Sequence, residues 1–247
     1  MSTELSQPAE PRVVLHEISW RTYARILETL GEYHPRHTYD RGLLEMQSVL
    51  SGVTWVDYAR FLDALGDYAL RHTFDRGTLE MMAPRKDHDW IKRFVGRIVE
   101  TVAFEFDIDI QCIGSTTVAD ESLGRGFQPD EAYYIANEPV VRAKSTYDSS
   151  KDPPPDLVVE IDVTSSSVER MPAFAALGIR EVWRFEGKAL RIFVLDARRE
   201  YREFERSDGL PLLTCEQIND SLRKLRSMSE NAVLRSLIAD LRRAANR

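Results

Sequence analysis

The chain predicts an α/β or α+β fold, a mixed β-sheet flanked by helices, and three observations carry that prediction. The run Pro155-Asp156-Leu157-Val158-Val159-Glu160-Ile161-Asp162 reads as a short buried strand in the middle of the chain. Amphipathic stretches at about 88–106, 215–226 and 229–245 read as helices. A helix-then-hairpin unit occurs twice, without a gap, between residues 14 and 83.

A chain of 247 residues suits one domain with extensions or two small ones, and it is long enough to bury a substantial core. Its net charge of −7 argues against a constitutive, sequence-blind nucleic-acid binder, which needs a basic surface. An enzyme with a local basic cleft remains compatible with it. Cys112 and Cys215 are far apart and form no CxxC, so they read as buried free thiols in a reducing cytosol. No apolar stretch is long enough to span a bilayer, and MSTELSQPAEP lacks the apolar core of a secretion signal. A cytoplasmic location and no membrane partner are therefore expected.

The elements follow in order. Residues 1–13 are polar and proline-containing, and predict a disordered tail. Segment 14–48 then matches segment 49–83: Trp20 with Trp55, Tyr23–Arg25 with Tyr58–Arg60, and RHT-aromatic-DRG whole. In each copy Ser19 or Thr54 caps a helix, apolar residues recur at helical spacing (Tyr23, Ile26, Leu27, Leu30; Tyr58, Phe61, Leu62, Leu65), and Gly31 or Gly66 ends it. Asp-Arg-Gly then turns one strand into the next. Two copies are too few for a solenoid, so the first reads as an extra N-terminal repeat, 14–48.

The principal domain is expected over 49–205. Its long helix carries Ile91, Phe94, Val95, Ile98, Val102 and Phe106 on one face, and Lys92, Arg93 and Arg97 on a face that reads as solvated. Strands are predicted near Asp109–Ile113 and Ser115–Val118, and in GRGFQPDEAYYI. A polar crossing over 137–154 leads to the central strand. A short helix at about Ser167–Leu177, ended by Gly178, and strands at Glu181–Phe185, Ala189–Asp196 and Tyr201–Glu205 complete it. A helical extension is expected over 206–247.

The central strand carries the chemistry. A mid-strand acid among Val and Ile is costly to bury without a partner, which singles out Glu160. Asp162 leaves the strand on the same face, and two adjacent carboxylates repel unless a cation sits between them. That is the layout of a hard-metal site, and with Asp130 it suits Mg²⁺ or Mn²⁺ and phosphodiester hydrolysis. Asp130 follows Pro129, where a turn acid is equally ordinary. Asp156 reads as a strand cap, Glu80 and its mate Glu45 as structural acids, and His37 and His72 as scaffold.

Several motifs together resemble one family. They are ISW/VTW-x2-Y, YDRG/FDRG-x-LE-M, PRKDH before a helix, GFQPDEAYYI, PPPDLVVEIDVTSSS and RMPAFAALGIREVWRFEG. Between about Val49 and Glu205 the chain resembles the Uma family of restriction endonucleases, expanded in cyanobacteria, within the PD-(D/E)XK nuclease superfamily. The resemblance implies a restriction-endonuclease-like core, DNA as substrate, and Mg²⁺ or Mn²⁺ held by Asp130 and Glu160, with the Ile161 carbonyl as a further ligand by analogy. The position that usually holds lysine is Asp162, which reads as a third ligand, a water-positioning acid or an acid paired with an arginine. The basic residue is displaced onto the next helix, at Arg170, where it would stabilise charge on phosphorus. An arginine there departs from the expected lysine: it donates to phosphate but cannot accept a proton. His88 would orient a phosphate or a water, against its reading as an ordinary helix-start histidine. The alternative is a catalytically degenerate nuclease fold that binds nucleic acid or protein. A homodimer is the expected self-association, for which the extra repeat offers an interface.

Overall fold

The computed structural model describes residues 12–41, 43–66, 68, 70–82, 86–144, 148, 151–162 and 170–245. The predicted tail over 1–13 falls almost wholly outside them. The chain divides into two compact units, Met1–Ala83 and Pro84–Arg247.

The first unit is the repeat. Copy one runs β1 (Arg12–Leu15), α1 (Trp20–Leu30), a 3-10 turn at Gly31–Tyr33, β2 (His37–Asp40) and β3 (Leu43–Gln47). Copy two runs β4 (Val49–Ser51), α2 (Trp55–Leu65), β5 (Arg71–Asp75) and β6 (Thr78–Met82). Each begins with a short strand that the sequence pattern does not predict. β3 pairs antiparallel with both β1 and β2, and β6 with both β4 and β5.

The caps form as expected: Ser19 Oγ accepts from Thr22 N–H at 3.0 Å, and Thr54 Oγ1 from Asp57 N–H at 3.1 Å. The carboxyl of Asp57 lies below the usual range because the Thr54 and Tyr33 hydroxyls donate to it. Arg76 (φ 44°) and Gly77 (φ 93°) both take left-handed backbone, the pairing that a two-residue hairpin turn demands.

The same aromatic packing occurs in both copies. Tyr23 stacks on Tyr39 at 4.4 Å and 13°, and Tyr58 on Phe74 at 4.5 Å and 8°. Trp20 and Trp55 meet those rings edge-on. Burial differs: Tyr58 and Phe74 are buried, whereas Tyr23 and Tyr39 are half-buried and Trp20 is exposed.

The second unit opens with α3 (Lys86–Glu105). It continues through β7 (Gln111–Cys112), β8 (Val118–Asp120), β9 (Arg125–Phe127), β10 (Glu131–Tyr134), α4 (Glu138–Val141) and β11 (Leu157–Asp162). After α5 (Met171–Leu177) come β12 (Glu181–Glu186), β13 (Ala189–Leu195), β14 (Tyr201–Phe204), α6 (Cys215–Lys224) and α7 (Glu230–Ala245). Six strands form one sheet in the order β14-β13-β12-β11-β10-β7. Only β11 and β12 run parallel, so the sheet is mixed, as the sequence predicts. β8 and β9 pair antiparallel with each other and lie outside that six-stranded sheet.

Alternation along β11 decides which face each side chain takes. Leu157, Val159 and Ile161 join the larger core with Phe94, Ile98 and Val102 of α3, Ile218 of α6, and Val233, Leu237 and Leu241 of α7. Val158 joins Ala132, Val182, Phe127, Phe174 and Ile179 on the opposite face.

Several sequence expectations shift. The strand placed at Ser115–Val118 begins only at Val118, because Thr116 folds back, its N–H and hydroxyl both donating to the Ile113 carbonyl. The crossing over 137–154 contains the short helix α4. α5 starts at Met171, and residues 163–169 lie outside the described ones. Both cysteines are free, but Cys112 is exposed rather than buried, since its two-residue strand pairs only with β10. Its thiol is nonetheless pushed up to about 12, by partial burial and by the Glu131 carboxylate beside it. Among the described residues no helix is long and apolar enough to cross a membrane.

Candidate active site

Glu160 lies on β11 between Val159 and Ile161 and points to the face opposite α3, with 1% exposure. Asp130 stands just before β10 and is 3% exposed. Its Oδ2 accepts from the Ile161 N–H at 2.7 Å, which pins it beside β11. The β10–β11 register pairs Ala132 with Val158, so continuing the alternation places Asp130 on the face of Glu160. The fold thus brings two buried carboxylates together from adjacent strands.

Arg170 faces them. It precedes α5, where its carbonyl accepts from Ala173 N–H (2.9 Å) and Phe174 N–H (3.0 Å). Phe174 packs on Phe127 at 4.4 Å beneath it. The side chain is 6% exposed, and Nη1 lies 2.5 Å from Glu160 Oε2. The sequence predicts Arg170 as a helix residue, with an exposed position as the alternative. It is instead the buried residue that flanks the helix start.

Other candidates fall elsewhere or beyond description. Asp162 ends β11, in register with Glu186 of β12, but its side chain lies outside the described residues. His88 sits in the first turn of α3, and its side chain is likewise outside them. Glu80 is buried in the first unit, opposite Thr73 on β5. Asp156 is a local anchor: its carboxylate accepts from the backbone N–H of Ile135 and Asn137. Lys92 pairs with Glu131 at 3.6 Å, and Arg97 with Glu230 and Asn231.

One further cation, not predicted from the sequence, lies beside these residues. Arg184 of β12 is the register partner of Glu160 and shares its face, and its Nε lies 3.2 Å from Glu186 Oε1. The alternation of Val182 and Arg184 along REVWRFEG was the available signal, but only the parallel register shows which acid Arg184 adjoins. Glu181 is a second unforeseen group. It is 1% exposed, and its carboxyl is pushed up by burial, although the N–H groups of Gly209 and Asp208 and the Trp183 indole donate to it. It tethers the 207–210 loop and takes no part in the Asp130–Glu160 cluster.

Oxygen donors from two carboxylates suit a small hard cation, which takes few protein ligands and keeps its waters. Among the described residues no group of three or more His, Cys, Asp or Glu side chains assembles. The site therefore offers two buried carboxylates from adjacent strands, with Arg170 as the counter-charge to Glu160.

The sequence profile of the family Uma2, described as "Putative restriction endonuclease", matches residues 55–223. The match begins at α2 and leaves the first copy of the repeat outside it. Among solved structures the chain is similar to "a putative nuclease belonging to DUF820" from Anabaena variabilis ATCC 29413. Identity is 14%, the alignment covers 68% of this chain and 90% of that one, and the TM-score is 0.41, a distant likeness. No curated protein matches.

Proposed function

Since the chain belongs to the Uma2 family of restriction endonucleases, we propose that this nuclease hydrolyses DNA phosphodiester bonds with Mg²⁺ or Mn²⁺ at the Asp130–Glu160–Arg170 cluster. The observation that carries this reading is the pair of buried carboxylates on adjacent strands with a buried arginine against one of them. Asp130 and Glu160 are the residues to hold the ion. When bound, it would lower the pKa of a coordinated water and offset charge developing on phosphorus. Asp130 is oriented by the Ile161 N–H, so its second oxygen has a fixed direction. Arg170 is aimed by its backbone anchors at the helix start and can donate to a phosphate oxygen as well as to Glu160. It cannot take the proton from water. That role falls to an acid or to the substrate, and Asp162, which ends the same strand, is the residue to test for it. Arg184 adds a second guanidinium on the same face.

The test is nicking of supercoiled plasmid by the pure protein with Mg²⁺ or Mn²⁺. Glu160→Ala should abolish it. No nicking by the wild type, or equal nicking by the variant, would overturn the proposal.

The Arg170–Glu160 ion pair favours a second reading, a fold that binds without cleaving, because the guanidinium already supplies Glu160 with a positive partner. Calorimetry with Mg²⁺ separates the two. Absence of binding at millimolar metal, with DNA binding that survives EDTA, would establish the second.

A further inference from the structure

Helix α3 has one side in the core and another in water. Phe94, Val95, Ile98, Val99 and Val102 are fully buried. On the opposite side Trp90, Arg97 and Phe104 recur at heptad spacing and form one stripe, with Arg93 and Glu100 beside it. Phe104 is 87% exposed and Trp90 47%. The two rings stand about 21 Å apart along the helix, one at each end of the charged segment between them.

We infer that this stripe joins two copies of the chain, their α3 helices packed antiparallel about a two-fold axis at Arg97. Such an axis sets Trp90 against Phe104 of the second copy, and brings Arg93 within about 1.5 Å of axial register with Glu100 of the second copy. Both contacts occur twice, once on each side of the axis. The stripe is therefore self-complementary in shape and in charge. At the axis Arg97 meets its own copy, but Glu230 and Asn231 already engage each guanidinium, which removes the bare repulsion of like charges. The stripe is also a ridge between two grooves. One, of about 540 Å³, is lined by Asp89, Arg93, Glu100 and Glu131, and the other, of about 550 Å³, by Leu234, Ile238 and Arg242 along α7. Ridges of one helix pack into grooves beside another. The mixture of Asp89, Arg93, Arg97 and Glu100, two acids and two cations, suits a protein copy of the same pattern better than the uniform charge of a phosphate backbone. The inference does not rest on the nuclease reading.

Light scattering on the full chain at micromolar concentration tests it. The wild type should run at twice the 28.4 kDa chain mass. Phe104→Glu, Arg93→Glu and Glu100→Arg should each give monomers with melting temperatures near that of the wild type. The double variant Arg93→Glu/Glu100→Arg should restore the dimer, because exchanging both charges preserves the pair. A monomeric wild type, a dimer indifferent to Phe104→Glu, or a double variant no better than the singles would overturn the inference. A monomer that loses duplex binding on Arg93→Glu would overturn it too, and would assign the stripe to nucleic acid.

Discussion

Arg170 Nη1 lies 2.5 Å from Glu160 Oε2, and both side chains are buried. Placing an acid inside a sheet is costly unless a counter-charge meets it there. Here that counter-charge arrives from the residue before α5, held by the backbone of the helix it introduces.

Breaking this pair should be worse than removing it. Arg170→Met and Glu160→Leu alone should each lower unfolding free energy by roughly 3–5 kcal/mol, because each takes an ion-pair partner from a buried charge. The double variant should cost clearly less than the sum, a coupling read from urea titrations of all four proteins. Additive losses would show that the two side chains do not depend on each other.

Asp130→Asn separates fold from chemistry. The amide oxygen can still accept from the Ile161 N–H, so the melting temperature should move by only a few degrees, whereas Mg²⁺ binding and plasmid nicking should fall by roughly a hundredfold, the scale of losing one charge-stabilising group. Calorimetry and a nicking assay read the two effects. Unchanged metal binding would remove Asp130 from the donor set.

Glu181 gives stability a pH dependence of definite sign. Its carboxyl is raised above the ordinary 4.5 by burial, so the folded chain holds the proton more tightly than the unfolded chain does. Its contribution is then fully present below the unfolded value and is lost as pH rises through the folded one. Relative to wild type, Glu181→Gln should be most destabilised below the unfolded value and should gain as pH rises through the raised folded one. Melting curves of both proteins across that range check it, and a difference independent of pH would refute it.

The two copies of the repeat should respond unequally to the same cut. Tyr58→Ala removes a fully buried ring and should cost roughly 3–5 kcal/mol. Tyr23→Ala removes its half-buried counterpart and should cost less than half as much. Denaturant titration of both variants decides this, and equal losses would mean that the first copy is buried in solution.

Much of this architecture is readable before any coordinates. Ser19 and Thr54 announce helix starts, Asp-Arg-Gly announces hairpins, and the apolar run ending in Glu160 announces the central strand. β1 and β4 pass unseen, because three or four residues are too few to establish a period. The site divides in the same way. Glu160 stands out because an acid within a strand is locally anomalous, and Asp130 because a motif marks it. The burial of Arg170 has no local signature. It depends on which strand α5 is packed against, a tertiary fact, and the same holds for Arg184, whose neighbour is set by strand register.

The repeat has a consequence for how the chain reaches this structure. Tyr23–Tyr39 and Tyr58–Phe74 are nearly the same lock, cut by nearly the same residues. Sequence identity within one molecule thus becomes a kinetic hazard, as in tandem arrays, where neighbouring modules trade elements before they sort. Differences between the copies, among them Phe61 for Ile26, Phe74 for Tyr39 and the left-handed Gly66 for the right-handed Gly31, are the marks by which the chain tells one copy from the other.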